Sequence, residues 1–412
     1  MSLEKDTEYT LRSVPLSARL TLVSTVLLWS SLTLDPSAPY LAMWWASAYP
    51  FAVLITATLT ANVILSAFSS LSGYIASKEG LTYALATEKV YGVRGSVIPA
   101  LWAGFVAVGW LAFSIGVVAD VIVGATGLPG LLYYVVVVFS TLLFTVTAYL
   151  GVKHIVRLAM IGVPLLVILI TAGVVLSVRA RGLPPLGEFD ISSYPVLVSL
   201  VLGTFVNGSI VLSFDYQRFC RRPVDAVLTA VINFLVFWSF IILVSAVPAA
   251  TLGKDLIAAY VALGLTPLAI ITLFLLAWTS ADNQLYSTSL SWTLAVRTLG
   301  RVVDRRRVVL IGTILTMLLA SIKLHVLAVQ WLTLMTVVSL PAGIVLWTDY
   351  FVVCRRRWSE VKRVVNLPAF ISWLIGSITI YYLNFVVQAW YGTLLGFLVT
   401  SVVYVISSSL TR

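Results

Sequence analysis

The sequence predicts an all-α integral membrane protein with about twelve transmembrane helices, and three observations point to this class. Hydrophobic residues make up 60% of the 412 residues and charged residues only 10%, whereas soluble domains are about 45–50% apolar and about 25% charged. Apolar stretches of about 20 residues, the length needed to cross a bilayer, recur along the whole chain. Lys and Arg are concentrated in alternate loops. A soluble fold, a disordered chain and a nucleic-acid-binding domain are therefore poor interpretations.

The predicted spans leave only short polar connections between them. Their ranges are 18–44, 47–72, 97–125, 131–150, 155–178, 194–214, 224–249, 265–292, 307–321, 326–352, 367–385 and 390–409. The chain is therefore expected to be a single transmembrane domain, residues 1–412, whose chemistry lies within the membrane. This organisation favours a transporter, with a channel or an intramembrane enzyme as alternatives.

The distribution of positive charge predicts the orientation of the spans. With twelve spans, 22 of the 26 Lys and Arg residues fall on the side that holds both termini, and 4 fall on the other. Because cytoplasmic loops carry an excess of Lys and Arg, both termini are expected in the cytoplasm of a multi-pass plasma-membrane protein. The same asymmetry explains the net charge of +10 without nucleic acid. The lipid bilayer is the expected surrounding, and no obligate protein partner is evident.

The first span is interrupted by the pair Asp35-Pro36. Pro36 has no N–H and disfavours helical backbone at Asp35, so the span should break there and free the carbonyls between Ser31 and Leu34. Transporters use such broken helices near the bilayer midplane to bind ions. The alternative is that Asp35 lies in water at the outer end of the span.

The third span carries Trp110 in its middle, beside Gly109, rather than at a membrane interface. Trp110 and Ser114 lie on one helix face because they are four residues apart. Such a Trp is a candidate stacking platform for a flat ligand, and the alternative is a Trp of the helix core.

The sixth span contains the segment 202–209, in which Gly203 and Gly208 flank a run that includes Thr204 and Asn207. This pattern is typical of a second discontinuous helix, which would expose Asn207 to a ligand. Close helix packing is the alternative, since small residues let backbones approach, and Asn207 would then form an interhelical hydrogen bond.

The eighth span has the strongest local signal, a run of polar side chains near the middle of an apolar helix. Thr279 and Ser280 offer hydroxyl oxygens, which suit a hard cation such as Na⁺, and Asp282 and Asn283 offer further hydrogen-bonding groups. Polar residues at membrane depth usually face a cavity or a partner. The alternative is a buried network that holds helices together.

Other chemistry has little support in the sequence. His154 and His325 lie at span ends, and Cys220 and Cys354 are far apart, so no metal-ligand cluster is expected. A phosphate-binding loop motif is lacking, which argues against ATP as the energy source. No enzymatic activity and no cofactor are expected.

These places, their order and their spacing resemble the nucleobase:cation symporter-1 family, and within it the cytosine permease branch. The stretches that carry the resemblance are 73–82, 91–96, 109–110, 215–219 with 225–226, 282–287, and 341–343 with 349–350. The resemblance covers roughly residues 15–410. It implies a LeuT-type fold, with two inverted five-helix repeats, 17–178 and 194–352, and two additional helices in 367–409.

The resemblance also implies a site. A planar base would stack between Trp110 and Phe205, and Na⁺ would bind the carbonyls of Ser31 and Leu34 and the hydroxyls of Thr279 and Ser280. With the polar residues noted above, the substrate-binding set becomes Trp110, Phe205, Asn207, Ser114, Asp282 and Asn283.

Three positions depart from the cytosine permease pattern, namely Ala107, Ala281 and Asn207. The groups that contact the edge of the base are therefore different here, and cytosine, another pyrimidine, a purine or a hydantoin all remain open. Asp35 has no clear counterpart and is a candidate to carry a coupling proton or to add charge to a cation site.

The sequence thus predicts a transporter that imports a nucleobase or a similar planar heterocycle by cation-coupled symport, with Na⁺ or H⁺ as the coupling ion. The alternatives are a carrier of the same fold for another small solute, such as an amino acid, and a binding protein or sensor that does not transport.

Overall fold

The computed structural model describes residues 8–127, 130–360, 363–389 and 391–411, and these residues are predominantly helical. Their only extended pairing is an isolated bridge between Leu20 and Cys220. Both chain ends, 1–7 and 412, lie outside the described residues, so their cytoplasmic placement stays a prediction.

The helices follow one another along the chain as α1 to α15. They are α1 Leu22–Thr33, α2 Ser37–Ala48, α3 Phe51–Glu79, α4 Tyr83–Tyr91, α5 Val97–Thr126, α6 Leu131–Leu150, α7 Val152–Arg181, α8 Tyr194–Gln217, α9 Pro223–Leu252, α10 Leu256–Ala262, α11 Thr266–Thr298, α12 Arg305–Ser321, α13 Leu324–Val353, α14 Leu367–Val386 and α15 Gly392–Ser409. Five segments inside them are π-helical: Gly208–Leu212, Ile232–Trp238, Met335–Ser339, Asp349–Val353 and Tyr382–Val386.

The membrane spans agree with those predicted from the sequence. In the described part of the chain, ten helices are long and apolar enough to cross a bilayer. The other two predicted spans correspond to the pair α1 and α2, and to α12, which has 17 residues and begins with three arginines. The prediction of an all-α membrane protein is confirmed, while its division into repeats stays a prediction.

The first span breaks where the sequence predicts. Helix α1 ends at Thr33, and α2 begins at Ser37. The N–H of Asp35 donates to the Thr33 carbonyl at 3.0 Å instead of reaching Ser31, and Pro36 has no N–H to offer Leu32. The carbonyls of Ser31 and Leu32 therefore lose their usual helical donors.

The sixth span does not break, so the prediction of a second discontinuous helix is wrong. Backbone angles stay helical through Asn207 and Gly208, and the chain widens into the π-helical turn Gly208–Leu212. The physical reason is that no proline follows these glycines, so the backbone N–H groups remain available. Gly203 instead allows α8 to approach the backbone of α13 at Leu332.

Helix α11 occupies the centre of the bundle. It packs against α1, α4, α5, α6, α7, α10 and α12, and every residue from 279 to 291 is buried. A helix that is buried on all sides can place different residues against different neighbours, which matters for the site described below.

The C-terminal end of α8 is held by a buried guanidinium. Arg218 donates to the carbonyls of Tyr9 and Glu8, at 2.8 and 2.9 Å, and to the Tyr286 hydroxyl of α11 at 3.2 Å. The carboxylate of Asp215 accepts from the N–H of Tyr83 at 3.0 Å and from the hydroxyl of Ser287. These contacts join the N-terminal segment, α4, α8 and α11.

The close approach of α8 to α13 yields a first prediction. In Gly203→Ala the new Cβ would lie 2.6 Å from the Leu332 carbonyl oxygen. Overpacking of this kind costs about 1–3 kcal/mol, so the melting temperature of the purified protein should fall. Gly124→Ala is the control, since its Cβ would meet nothing within 4 Å. Equal melting temperatures for the two variants would contradict the packing described.

Candidate functional site

The carboxylate of Asp35 lies in the break of the first span and joins three spans. It accepts from the N–H of Ser37 at 2.8 Å and from the hydroxyl of Ser114, on α5, at 3.0 and 3.1 Å. It also accepts from the hydroxyl of Ser280 on α11. Only 6% of Asp35 is exposed, so the structure does not place it in water at the end of the span.

The donors around Asp35 suit a group that only accepts hydrogen bonds. An ionised carboxylate has two acceptor oxygens and no donor, and here these oxygens receive one backbone and two side-chain donors. Buried charges at membrane depth need such compensation. Asp35 therefore supplies a fixed acceptor at the point where the helix is interrupted.

A small cavity lies beside this break, with walls from α1, α2, α5, α8, α9 and α11. Its volume is about 20 Å³, which is room for about one water molecule. The lining residues are Leu32, Asp35, Ser37, Trp110, Thr204, Phe205, Asn207, Gly208, Leu212, Trp238, Ser280 and Gln284. A heterocycle enters this space only if the surrounding helices separate.

Two aromatic side chains predicted to stack on a ligand line this same cavity. Trp110 is held by Phe113, with ring centroids 5.4 Å apart, and by Trp331 at 6.3 Å. Phe205 contacts the ring of Trp238, with centroids 4.8 Å apart. Both rings are anchored by other aromatics, so their positions are well defined before any ligand arrives.

Two amide side chains lining the cavity have unused acceptor oxygens. Among the described residues, Asn207 Oδ1 and Gln284 Oε1 are buried without a hydrogen-bond partner. A buried polar group left in this state costs about 1–3 kcal/mol. The cost is recovered if a bound molecule supplies the missing donors.

Gln284 is a lining residue that the predicted set lacks, as are Thr204 and Trp238. The signal that could have found Gln284 was present, since it follows Ser280 by four residues and shares its helix face. Trp238 belongs to α9, for which the sequence offered no comparable signal.

The structure does not bring Asp282 and Asn283 to the cavity. The side-chain amide of Asn283 donates to the Asp282 carboxylate at 3.0 Å, to the Thr279 carbonyl at 2.7 Å and to the Ser31 hydroxyl at 3.2 Å. Both residues are fully buried. Asn283 thus links α11 to α1 at a different part of the α11 surface.

Of the four residues predicted to bind a cation, Ser31 and Leu34 belong to the broken span, and Ser280 contacts Asp35 in the break. Asn283 contacts the Ser31 hydroxyl, whereas the Thr279 hydroxyl donates within its own helix to the Leu275 carbonyl at 2.7 Å. The Leu34 N–H donates to the Ser30 carbonyl at 3.0 Å, at the end of α1. Hydroxyl, carbonyl and carboxylate oxygens are ligands that hard cations prefer, so the donor set fits an alkali cation in chemical type.

Comparisons with known proteins place this chain among permeases. The profile of the family described as "Permease for cytosine/purines, uracil, thiamine, allantoin" matches residues 41–384. The cytosine permeases of Escherichia coli strain K12 and strain O157:H7 are each 29% identical to it over 366 residues, which cover 86% of this chain and 83% of each relative.

Solved structures show the same fold at low sequence identity. The inward-facing conformation of Mhp1 matches with a TM-score of 0.78 and 16% identity, covering 97% of this chain and 95% of that one. Mhp1, a nucleobase-cation-symport-1 family transporter, in a closed conformation with bromovinylhydantoin bound, matches with a TM-score of 0.77 and 16% identity over 97% and 94%. A Na⁺-coupled sialic acid symporter in a substrate-bound outward-open state matches with a TM-score of 0.67 and 16% identity over 95% and 90%. The LeuT-type fold is thereby confirmed.

The contacts of Asp35 predict an energetic coupling between Ser114 and Ser280. Each change to Ala removes one donor from the carboxylate and should cost about 1–3 kcal/mol. Because both donors serve one acceptor, the double variant should deviate from additivity by about 0.5 kcal/mol or more. The melting temperatures of the four proteins measure this.

The control for this cycle is Ser140→Ala, which removes a buried hydroxyl that has no partner among the described residues. It should leave the melting temperature unchanged or slightly higher. The role given to Asp35 would be contradicted if the Ser114 and Ser280 variants lost no more melting temperature than Ser140→Ala and their losses were purely additive.

Proposed function

Because this chain belongs to the family of permeases for cytosine/purines, uracil, thiamine and allantoin, we propose that its cargo is a nucleobase or a similar planar heterocycle. The chain is a multi-pass membrane transporter. In this proposal it imports the heterocycle across the plasma membrane together with a cation, by alternating access, with both termini in the cytoplasm.

One observation carries the proposal for the cargo. Trp110 of α5 and Phe205 of α8, which are far apart in the sequence, line one buried cavity. Aromatic faces suit a flat ring because stacking contributes about 1–3 kcal/mol per base and does not depend on which base it is. Selectivity must then come from groups at the edge of the ring.

The edge of the ring would meet Asn207 and Gln284. Their unpartnered oxygens call for N–H donors, and an amino group or a ring N–H of a nucleobase supplies them. An amide also carries two N–H donors, so each side chain can bond a neighbouring carbonyl or ring nitrogen as well. Mixed donor and acceptor edges are the common feature of cytosine, uracil, purines and hydantoins, and this supports the class without choosing one member.

The coupling cation is proposed to bind at the break of the first span. For Na⁺, the oxygens come from the carbonyls of Ser31 and Leu34 and the hydroxyls of Thr279 and Ser280. The Ser280 hydroxyl donates to Asp35 here, and by rotating it presents a lone pair to a cation while Asp35 adds a negative charge. Of the solved structures compared, the sialic acid symporter is Na⁺-coupled.

Proton coupling would use Asp35 differently. A proton on the carboxylate converts one acceptor oxygen into a donor, and that oxygen then conflicts with a hydroxyl that donates to it. Ser114 and Ser280 both contact Oδ2, so protonation would loosen the link between the break and α5 or α11. The two coupling ions therefore predict different responses to pH.

The geometry also suggests how binding of the two solutes is coupled. The cavity and the proposed cation ligands share Ser280 and Asp35, so a change in one site alters the other. A cation that favours one conformation raises the affinity for the substrate, and the substrate raises the affinity for the cation by the same factor.

A ligand screen by thermal shift tests the proposed function. Purified protein is melted with cytosine, uracil, adenine, guanine, hypoxanthine, allantoin and hydantoins, each in Na⁺ and in choline at two pH values. A ligand at 100 times its Kd stabilises the native state by about 2.7 kcal/mol, so at least one ring should raise the melting temperature clearly. Na⁺ is expected to increase the shift in melting temperature that the ligand causes. Ser280→Ala should reduce this Na⁺-dependent increase more than it reduces the shift measured in choline.

Other results of this screen have clear meanings. A shift that depends on pH and not on Na⁺ would replace the sodium site by proton coupling at Asp35. A folded sample that responds to no heterocycle, and responds to amino acids instead, would overturn the proposed cargo.

Uptake assays test the stacking surfaces directly. Trp110→Ala and Phe205→Ala should each abolish uptake of the ring identified above, since the loss of one stacking face costs about 1–3 kcal/mol and also enlarges the cavity. Phe139→Ala is the matched control, because Phe139 lies on α6 and is 59% exposed. Elution as a single folded species checks each variant. Normal uptake by both Trp110→Ala and Phe205→Ala would refute the stacking arrangement.

A further inference from the structure

A continuous groove runs along the outside of the bundle between α13 and α15, away from the central cavity. Its upper part, of about 440 Å³, is apolar, and it is lined mainly by Leu71, Trp347, Phe351, Phe397, Val402 and Ile406. Its lower part, also of about 440 Å³, is lined by Arg355, Ser408 and Ser409 among others. Val352 and Val405 line both parts, so the two form one surface with an apolar and a polar end.

The length of the groove matches one leaflet of a bilayer. Along α15 it extends from Phe397 to Ser409, which is about 18 Å at about 1.5 Å per residue. The hydrocarbon core of a bilayer is about 30 Å thick, so a single acyl chain occupies about half of it. The groove therefore has the dimensions of one lipid chain lying against the protein.

The polar end of the groove carries unbalanced positive charge. Arg355 has no ion-pair partner among the described residues, and Arg356 and Arg357 follow it directly in the chain. Arg355 stands just beyond the end of α13, on the side that the distribution of Lys and Arg assigns to the cytoplasm. Basic pockets between helices on this side of a membrane attract anionic headgroups.

The apolar end of the groove is built from a stack of three aromatic rings. Phe68 of α3 contacts Trp347 of α13 with ring centroids 5.0 Å apart, and Phe397 of α15 lies 6.2 Å from Trp347. The indole N–H of Trp347 also donates to the hydroxyl of Ser72 on α3 at 2.9 Å. A chain in the groove would therefore touch the contact that joins the second, tenth and twelfth spans.

We propose that this groove binds one anionic phospholipid of the cytoplasmic leaflet. Its phosphate lies at Arg355, beside the hydroxyls of Ser408 and Ser409, and one acyl chain lies along α15 up to Phe397. The lipid steadies the junction of α3, α13 and α15. This site is separate from the cavity for the transported solute and does not depend on the identity of that solute.

Native mass spectrometry of the full chain released from nanodiscs tests the site. Nanodiscs of equal phosphatidylglycerol and phosphatidylethanolamine should yield protein that retains phosphatidylglycerol preferentially. Arg355→Gln should reduce this retention about fivefold, the effect of removing one basic contact with an anionic lipid. Arg301→Gln, in another cytoplasmic connection and also exposed, should leave the retention unchanged.

A second variant tests the apolar end. Val402 is 53% exposed, so Val402→Trp fills the groove without disturbing the packed core, and it should lower retention of both lipids at this site. Phosphatidylglycerol vesicles should raise the melting temperature of the unchanged protein, and this rise should be lost in Arg355→Gln and in Val402→Trp.

Three outcomes would overturn the proposal. Equal losses in Arg355→Gln and Arg301→Gln would mean that only overall charge attracts the lipid. Full retention in Val402→Trp would mean that no acyl chain occupies the groove. Stabilisation by soluble glycerol phosphate without lipid, equal to that by vesicles, would identify a simple anion site.

Discussion

The whole site depends on one missing hydrogen-bond donor, the backbone N–H that Pro36 does not have. In a bilayer no water can replace a lost helical hydrogen bond, so an interrupted helix is stable only where other parts of the protein satisfy it. Asp35 cannot replace the donors that the Ser31 and Leu32 carbonyls lose, since a carboxylate only accepts. It instead fixes the far side of the break, because its oxygens accept from the N–H of Ser37 at the start of α2 and from hydroxyls of α5 and α11. The break is thus held by spans that are distant in the sequence, and the cavity forms beside it.

Helix α11 connects the two halves of the proposed chemistry. Ser280 and Gln284 lie on the face that lines the cavity, whereas Thr279 and Asn283 lie on a face that contacts Ser31 of α1. A buried helix transmits a displacement as a rigid unit. A solute that shifts one face of α11 consequently shifts the oxygens on the other, which is the kind of physical link that coupled transport requires.

Much of the fold could be predicted from the sequence because the bilayer restricts what a helix can do. Span length follows from membrane thickness, and the break at Asp35-Pro36 follows from the covalent structure of proline. The glycines at 203 and 208 carry no such constraint, since glycine permits both a break and close packing, and only the neighbouring α13 decides between them. For this reason the second break was predicted wrongly.

The site was predictable to the same degree and for the same reasons. Trp110, Phe205 and Asn207 line one cavity. Trp110 and Asn207 stood out as aromatic or polar at mid-span, whereas Phe205 was expected only from the family resemblance. To decide whether Asp282 or Gln284 lines the cavity, one must know which face of α11 points towards it. A run of consecutive polar residues does not contain that information. The bond between Ser280 and Asp35 spans 245 positions and could only be found in three dimensions.

The π-helical turn Gly208–Leu212 has a consequence for how this chain tolerates insertions and deletions. A wide turn holds one residue more than an α-helical turn, so loss of a single residue there would restore a regular helix. Because the π-helical turn accommodates its extra residue by rotating less per residue, the deletion would leave Asp215 and Arg218 at nearly the same angle relative to Phe205 and Asn207. The turn Gly208–Leu212 is therefore the place in α8 where the chain can lose one residue while the two halves of the helix keep their relative orientation.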